Sequence, residues 1–342
     1  MSVFTRTCFA LILCVALLFM LNIVIGAVDI PLRDIFDIMT GGHDTKSGWR
    51  YIIMESRLPK AMAALLCGGA LSLCGLLLQT VFRNPLADPS VFGISGGAGL
   101  GVALVMLCGG GSAVSSMLGL SETLTVLLAA FAGAMVVTFI IFLVSLKVGS
   151  NILLIVIGII LGYVTSSIIT MLNFFASRDG VRSYVIWGMG DFGNVPMMLI
   201  PVFVLIVVVC SVVSLAMVKQ FNIFMLGDWY ARNLGVATKR LRNVVLVMAG
   251  LLTSTTTAFC GPISFIGLSV PHMSRLMMRT DDFKILLPTT ILLGSIVALT
   301  CNVLCVLPDD GGAIPLNAMT PLIGAPVIIY VIMRGLNGGN LK

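Results

Sequence analysis

Residues 8–28 read CFALILCVALLFMLNIVIGAV, 21 consecutive positions without an acidic or basic side chain. The hydrocarbon core of a bilayer is about 30 Å thick, and a helix needs about 20 apolar residues to cross it. The run meets that length and reads as a membrane span. Arg6 precedes it and Ile25-Gly26-Ala27 imitates a poor signal-peptide cleavage site, but the apolar region of a secretory signal holds only about 7–15 residues. The run is therefore read as a retained span.

The same pattern recurs along the chain. Cutting the apolar runs at Gly, Pro and charge clusters gives spans near 8–28, 60–80, 92–110, 122–146, 152–176, 197–218, 243–261, 263–278, 285–307 and 318–334. The predicted fold class is all-α, a polytopic membrane protein of about ten transmembrane helices that forms a single domain over 1–342. Composition agrees, because 58% of the 342 residues are hydrophobic and 10% charged, against about 25% charged in a soluble domain. Mean hydropathy is +1.12. The runs are too long for barrel strands of about ten alternating residues. The nine Cys lie mostly inside apolar runs without a Cys-x-x-Cys pair, and the chain has two His. Neither a disulfide framework nor a metal site is expected. Cys301 and Cys305 share a helix face and read as small buried hydrophobes.

Ten spans put both termini on one side. With the amino terminus inside, the inner segments hold 13 basic and four acidic residues, and the outer segments hold seven basic and ten acidic ones. Basic loops resist translocation, so both ends are placed in the cytoplasm. Essentially no ionisable residue falls mid-span, where each costs about 2.5–3.5 kcal/mol on insertion scales. This argues against a proton relay, and so against an ion-driven secondary transporter.

A faint echo joins Pro89-Ser90-Val91-Phe92-Gly93-Ile94-Ser95 to Pro262-Ile263-Ser264-Phe265-Ile266-Gly267-Leu268-Ser269. It relates spans two to five with spans seven to ten. Blocks displaced by five spans enter the bilayer in opposite senses, which is the inverted-repeat plan of many transporters.

Four features stand out between and within the spans. Arg83-Asn84-Pro85-Leu86-Ala87-Asp88-Pro89-Ser90 forces a non-helical turn, because proline lacks an amide donor and keeps its predecessor out of the helix. It is either a connector or a constriction, since irregular backbone at membrane depth survives only against protein or a wet cavity. The inner loop 219–243 contains Gly227-Asp228-Trp229-Tyr230-Ala231-Arg232-Asn233-Leu234-Gly235. Asp228 is suited to cap a short helix there and Gly235 to end it. Its exposed aromatic pair makes it a docking knob for a soluble partner or a membrane-surface helix. In span five Ser166, Thr170 and Asn173 form a polar stripe, which either lines a path or packs helices closely. Gly324-Ala325-Pro326 is expected to break or kink span ten.

No phosphate-binding Gly-x-x-x-x-Gly-Lys-Ser/Thr loop occurs, so nucleotide hydrolysis must belong to another chain. Gly93-Ile94-Ser95-Gly96 with His272 also admits an intramembrane serine protease, a reading that needs Ser95 and His272 in contact.

Taken together, Arg57-Leu58-Pro59-Lys60, Gly75-Leu76-Leu77-Leu78-Gln79, Asn84-Pro85-Leu86-Ala87-Asp88-Pro89 and Gly93-Ile94-Ser95-Gly96-Gly97-Ala98 resemble the permeases of ATP-binding-cassette importers for iron-siderophore, haem and cobalamin. The match continues through Trp187-Gly188-Met189-Gly190, Ala231-Arg232-Asn233-Leu234-Gly235, Gly261–Leu268, Pro271-His272 and Leu322–Pro326.

The resemblance implies a ten-helix subunit working as a homodimer in the bacterial cytoplasmic (inner) membrane. Two ATPase subunits and a periplasmic or lipid-anchored binding protein would be its partners. Lipid is its solvent and no nucleic acid is expected. ATP and magnesium would sit on the ATPase, leaving this chain without a cofactor or a catalytic residue. By the same resemblance Trp229, Tyr230, Ala231, Arg232, Leu234 and Gly235 couple to the ATPase, and Asn84 and Leu86, facing Ser150 and Asn151, close the inner mouth of the path. Ser166, Thr170 and Asn173 would line that path, and Arg57 and Lys60 would meet carboxylates of the binding protein. The chain departs from the family pattern at Asn302, at Cys305-Val306, where relatives carry an arginine, and at 313–317, with Asp309 and Asp310 presenting the opposite charge.

Overall fold

Lipid offers no partner for main-chain amides and carbonyls, so an apolar run satisfies them internally by becoming a helix. The computed structural model describes residues 3–26, 28–40, 47–108, 111–307 and 314–337, and every regular element among them is helical. In chain order these are α1 (Val3–Val24), α2 (Leu32–Met39), α3 (Ser47–Tyr51), α4 (Leu58–Phe82), α5 (Ile94–Ala103), α6 (Gly111–Leu118), α7 (Glu122–Lys147) and α8 (Asn151–Phe175). There follow α9 (Arg178–Gly188), α10 (Ile200–Ala216), α11 (Val218–Met225), α12 (Asp228–Asn233), α13 (Thr238–Cys260), α14 (Ile266–Met278), α15 (Phe283–Val306) and α16 (Leu316–Asn337). Asp44, Lys46, Asp309, Asp310 and Lys342, which entered the charge reading, lie outside the described residues.

Seven of these helices are long and apolar enough to cross a membrane. Two shorter apolar helices, Ile94–Leu107 and Leu316–Val331, match the expected third and tenth spans. The expected eighth is the 13-residue α14, which carries His272 and Arg275. Helix α4 is the axis of the bundle, with 89% of its most apolar window buried, and it packs against α13, α14 and α15.

These contacts are close because the facing residues are small. A Cβ on Gly75 would lie 1.8 Å from the Gly267 carbonyl oxygen, and one on Gly68 would lie 2.2 Å from that of Gly294. With no hydrophobic force between helices in lipid, such approach supplies dispersion contacts instead. Three consecutive hydroxyls of α13 are satisfied within their own helix. Ser254, Thr255 and Thr256 donate to the carbonyls of Gly250, Leu251 and Leu252 at 2.5–2.9 Å. At the other extreme, only 17% of the corresponding window of α8 is buried, and its exposed surface is mostly large apolar side chains, with Ser166, Ser167 and Thr170 among them.

Three expectations about local structure are corrected. Helices α2, α3, α9 and α11 fall in segments read as loops; α2 is amphipathic, with Ile35 and Ile38 buried and Leu32 and Phe36 exposed. Span two does not begin near Lys60, because α3 runs through a π-helical turn, Ile52–Arg57, straight into α4. The wide turn sits just before Pro59 and accommodates the missing proline donor. Helix α16 stays helical through Pro321 and Pro326, so the chain is not interrupted at Gly324-Ala325-Pro326.

Replacing Gly75 by alanine should push α4 and α14 apart and cost about 1–3 kcal/mol of stability. Thermal unfolding in neutral detergent measures it. An unchanged midpoint would mean that the two helices can separate freely.

Candidate functional site

The end of α4 organises one end of the bundle. Arg83 closes the helix in the left-handed conformation (φ 49°), with its amide on the Thr80 carbonyl and that of Asn84 on Gln79, a termination that satisfies late carbonyls. The Asn84 side chain then accepts from the Leu86 amide at 2.9 Å, folding Asn84–Ala87 into a tight turn. Asp88 caps the next turn, Pro89–Phe92, by accepting from Ser90, and Gly93 (φ 70°) starts α5.

Three other segments grip this end. The Asn151 side chain donates to the Val81 carbonyl at 3.0 Å, bringing the start of α8 against the turn. His272 Nε2 bonds the Pro85 carbonyl at 2.8 Å, and Gln79 bridges the Leu268 carbonyl and Arg275. Arg83 donates to the Phe224 carbonyl at 2.9 Å, with its guanidinium 4.9 Å from the Phe224 ring centroid. Asn84, Leu86, Ser150 and Asn151 thus gather at one place. Ser150 caps α8 by accepting from Leu153, and Leu86 is exposed.

The Arg83 contact carries the turn to the inner loop. There α11 stacks Phe221 on Phe283 with centroids 5.0 Å apart, and the Asn222 amide donates to Asp282 at 2.7 Å. The Lys284 amide and Asn222 hold the Asp282 carboxyl below the ordinary carboxylate range. Helix α12 follows with Ala231 buried beneath it and Trp229, Tyr230 and Leu234 71%, 58% and 60% exposed. Trp229 meets Tyr230 edge to face at 5.3 Å. Gly235 takes φ 81°, the conformation that ends a helix. Asp228 does not cap α12, since Gly227 holds the cap position; its carboxylate instead pairs with Arg232 at 2.7 Å.

Elsewhere the expected residues have other surroundings. Ser166 and Thr170 are exposed on α8 and Asn173 is half-buried, but Ile168 beside them is exposed as well. Arg57 is withdrawn from the outer surface. It is 7% exposed, and its guanidinium donates to the carbonyls of Ile23 and Val24, at 2.9 and 2.8 Å, and of Val28. It closes the last turn of α1, whose orphan carbonyls need donors, so in this conformation it offers no docking charge. Lys60 pairs with Asp191 at 3.5 Å. Asn302, at a departure from the family pattern, donates to Asn22 between α15 and α1, and Asn317 holds the carbonyls of Gly188 and Pro262. His272 is engaged by Pro85 rather than by Ser95, so the protease arrangement is not formed.

Sequence reading missed Gln79, Arg83, Arg242, Arg275 and Asn317. Most of their partners are main-chain carbonyls or amides far along the chain, which leave no local signature; Arg275 instead meets the side chains of Gln79 and Asp281.

A bundle of long apolar helices around a braced turn and an exposed knob is the architecture of a membrane transport subunit. The chain matches the FecCD transport family over residues 13–334, and it belongs to that family. The vitamin B12 import system permease protein BtuC of Salmonella typhimurium is 34% identical over 287 residues, covering 82% of this chain and 83% of the relative. BtuC of Salmonella paratyphi A gives the same figures. A solved structure described as an inward-facing conformation of a metal-chelate type ABC transporter aligns with TM-score 0.82 and 26% identity, over 96% of this chain and 99% of that one. PsaBC from Streptococcus pneumoniae in complex with Fab, at TM-score 0.52 and 16% identity over 80% and 90%, shares the fold alone.

Arg57→Ala should lower the unfolding midpoint by the equivalent of about 1–3 kcal/mol, since it strands the buried Ile23 carbonyl and the part-buried carbonyls of Val24 and Val28. Lys60→Ala should change it little, because its ion pair is partly exposed. Equal losses in the two variants would show that capping is not what Arg57 contributes.

Proposed function

We propose that this chain is the membrane-spanning subunit of an ATP-binding-cassette importer for a large metal chelate, an iron-siderophore, haem or cobalamin. The observation that carries the reading is the exposed α12. Trp229, Tyr230 and Leu234 project from it, and Arg83 bonds the adjoining α11 to the turn at the end of α4. A soluble ATPase gripping this knob moves the turn directly. The named relatives, a vitamin B12 permease and a metal-chelate transporter, support the substrate class.

In this reading the chain crosses the inner membrane ten times with both termini in the cytoplasm. The series α4, short α5, α7, α8 is repeated in helix lengths by α13, short α14, α15, α16. Gly93 and Phe265, both with positive φ, precede the two short helices. This symmetry supports an inverted repeat. Two copies associate with two ATPases, and the poorly covered α8 turns Ser166, Thr170 and Asn173 toward the shared path. Asn84, Leu86, Ser150 and Asn151 close its inner mouth. A binding protein docks outside, with Lys60 among its contacts. ATP binding to the partner subunits reorients the helices, and this chain performs no covalent chemistry.

Leu234→Asp should abolish most ATP-driven uptake in proteoliposomes containing the ATPase and the binding protein, while the binding protein still docks. Uptake at the parent rate would remove α12 from coupling. In the same assembly, cysteines placed at Ser166, Thr170 and Asn173 should react with a water-soluble maleimide and one at Ile168 should not. Equal reactivity at all four positions would take the stripe out of the path.

A further inference from the structure

Beneath α12 lies a cavity of about 320 Å3 with more positive charge than the protein neutralises. Arg83, Arg232, Lys239 and Arg242 line it together with one carboxylate, Asp228. Asp228 is committed to Arg232 at 2.7 Å. Among the described residues Arg83, Lys239 and Arg242 have no ion pair.

Arg242 is the most demanding of the three. It is 6% exposed, and its terminal nitrogens donate to the carbonyls of Ser145, Val148 and Gly149 and to the Asn151 side chain, all of them neutral. Its Nε has no hydrogen-bond partner. A buried cation held by dipoles alone, with one donor unsatisfied, is costly until an anion completes it. Another wall of the cavity is residues 149–152, which form the start of α8. The amino terminus of that 25-residue helix adds partial positive charge and unpaired amides.

We propose that this cavity binds a phosphate group, supplied by the headgroup of an anionic phospholipid or by a soluble phosphate ion. Guanidinium forks and helix amides together match the several oxygens of phosphate. Access is open, since Arg83 and Lys239 are exposed at the rim, and the lining residue Ile152, 74% exposed, gives an acyl chain an apolar surface. Once bound, the phosphate joins the starts of α8 and α13 to Arg83, and so to the turn and the inner loop. From the importer reading the proposal borrows only the orientation, in which this end faces the cytoplasm.

The test is thermal unfolding of the purified full chain in neutral detergent, titrated with phosphatidylglycerol, phosphatidylcholine, inorganic phosphate, or chloride at matched ionic strength. Phosphatidylglycerol or phosphate should raise the midpoint, and phosphatidylcholine and chloride should not. A response to phosphatidylglycerol alone identifies a lipid site, and a response to phosphate an ion site; either supports the proposal. Lys239→Gln should weaken half-saturation by at least about tenfold, the effect of losing one charge-assisted hydrogen bond. Arg242→Gln should abolish the response if that variant folds, and Lys239→Gln decides the matter if it does not. Equal stabilisation by both lipids with none from phosphate, or an unchanged half-saturation in Lys239→Gln, overturns the proposal. Because the isolated chain is measured, that failure is separate from any failure of ATP-driven uptake.

Discussion

A helix whose last turn is buried leaves its last carbonyls without partners unless other groups reach them, and α4 ends in this way, with Thr80, Val81 and Phe82 buried. Its end is completed from every side. The main chain of Arg83 and Asn84 takes up two carbonyls, Asn151 takes a third, and Gln79 is held by α14. None of these donors can leave without exposing a buried polar group. The turn at Asn84–Ala87 therefore moves together with α8, α11 and α14 or does not move at all.

This coupling matters because the bundle is otherwise stiff where it is central and free where it is peripheral. Contact between Gly75 and Gly267, and between Gly68 and Gly294, leaves no room for α4 to slide. Helices α8 and α10 touch little of the rest and present apolar side chains outward. Arg83 ties α11, which adjoins α12, to the turn at the end of α4.

The long apolar runs were legible in the sequence because bilayer thickness imposes a length that no soluble helix must satisfy. Helices α1, α7, α8, α10, α13 and α15 fall within a few residues of their expected bounds. Short amphipathic helices such as α2 and α11 carry too few apolar positions to register against a loop. The exposure of Trp229, Tyr230 and Leu234 was legible because aromatic and aliphatic side chains stand out in a basic loop. The capping contacts of Arg57 were hidden because its acceptors, the carbonyls of Ile23, Val24 and Val28, lie about 30 residues away and carry no side-chain identity. Arg242 and Arg83 escaped notice for the same reason.

The π-helical turn at Ile52–Arg57 carries a further meaning for chain length. Such a turn holds one residue more than an α-turn, and each residue of an α-helix rotates the chain by about 100°. Everything on the amino-terminal side of Pro59 is thereby indexed differently from α4, like a thread cut with an offset start. The alignment of Arg57 with the end of α1 depends on that offset, so a segment one residue shorter would aim a different side chain at α1 even with every remaining residue unchanged.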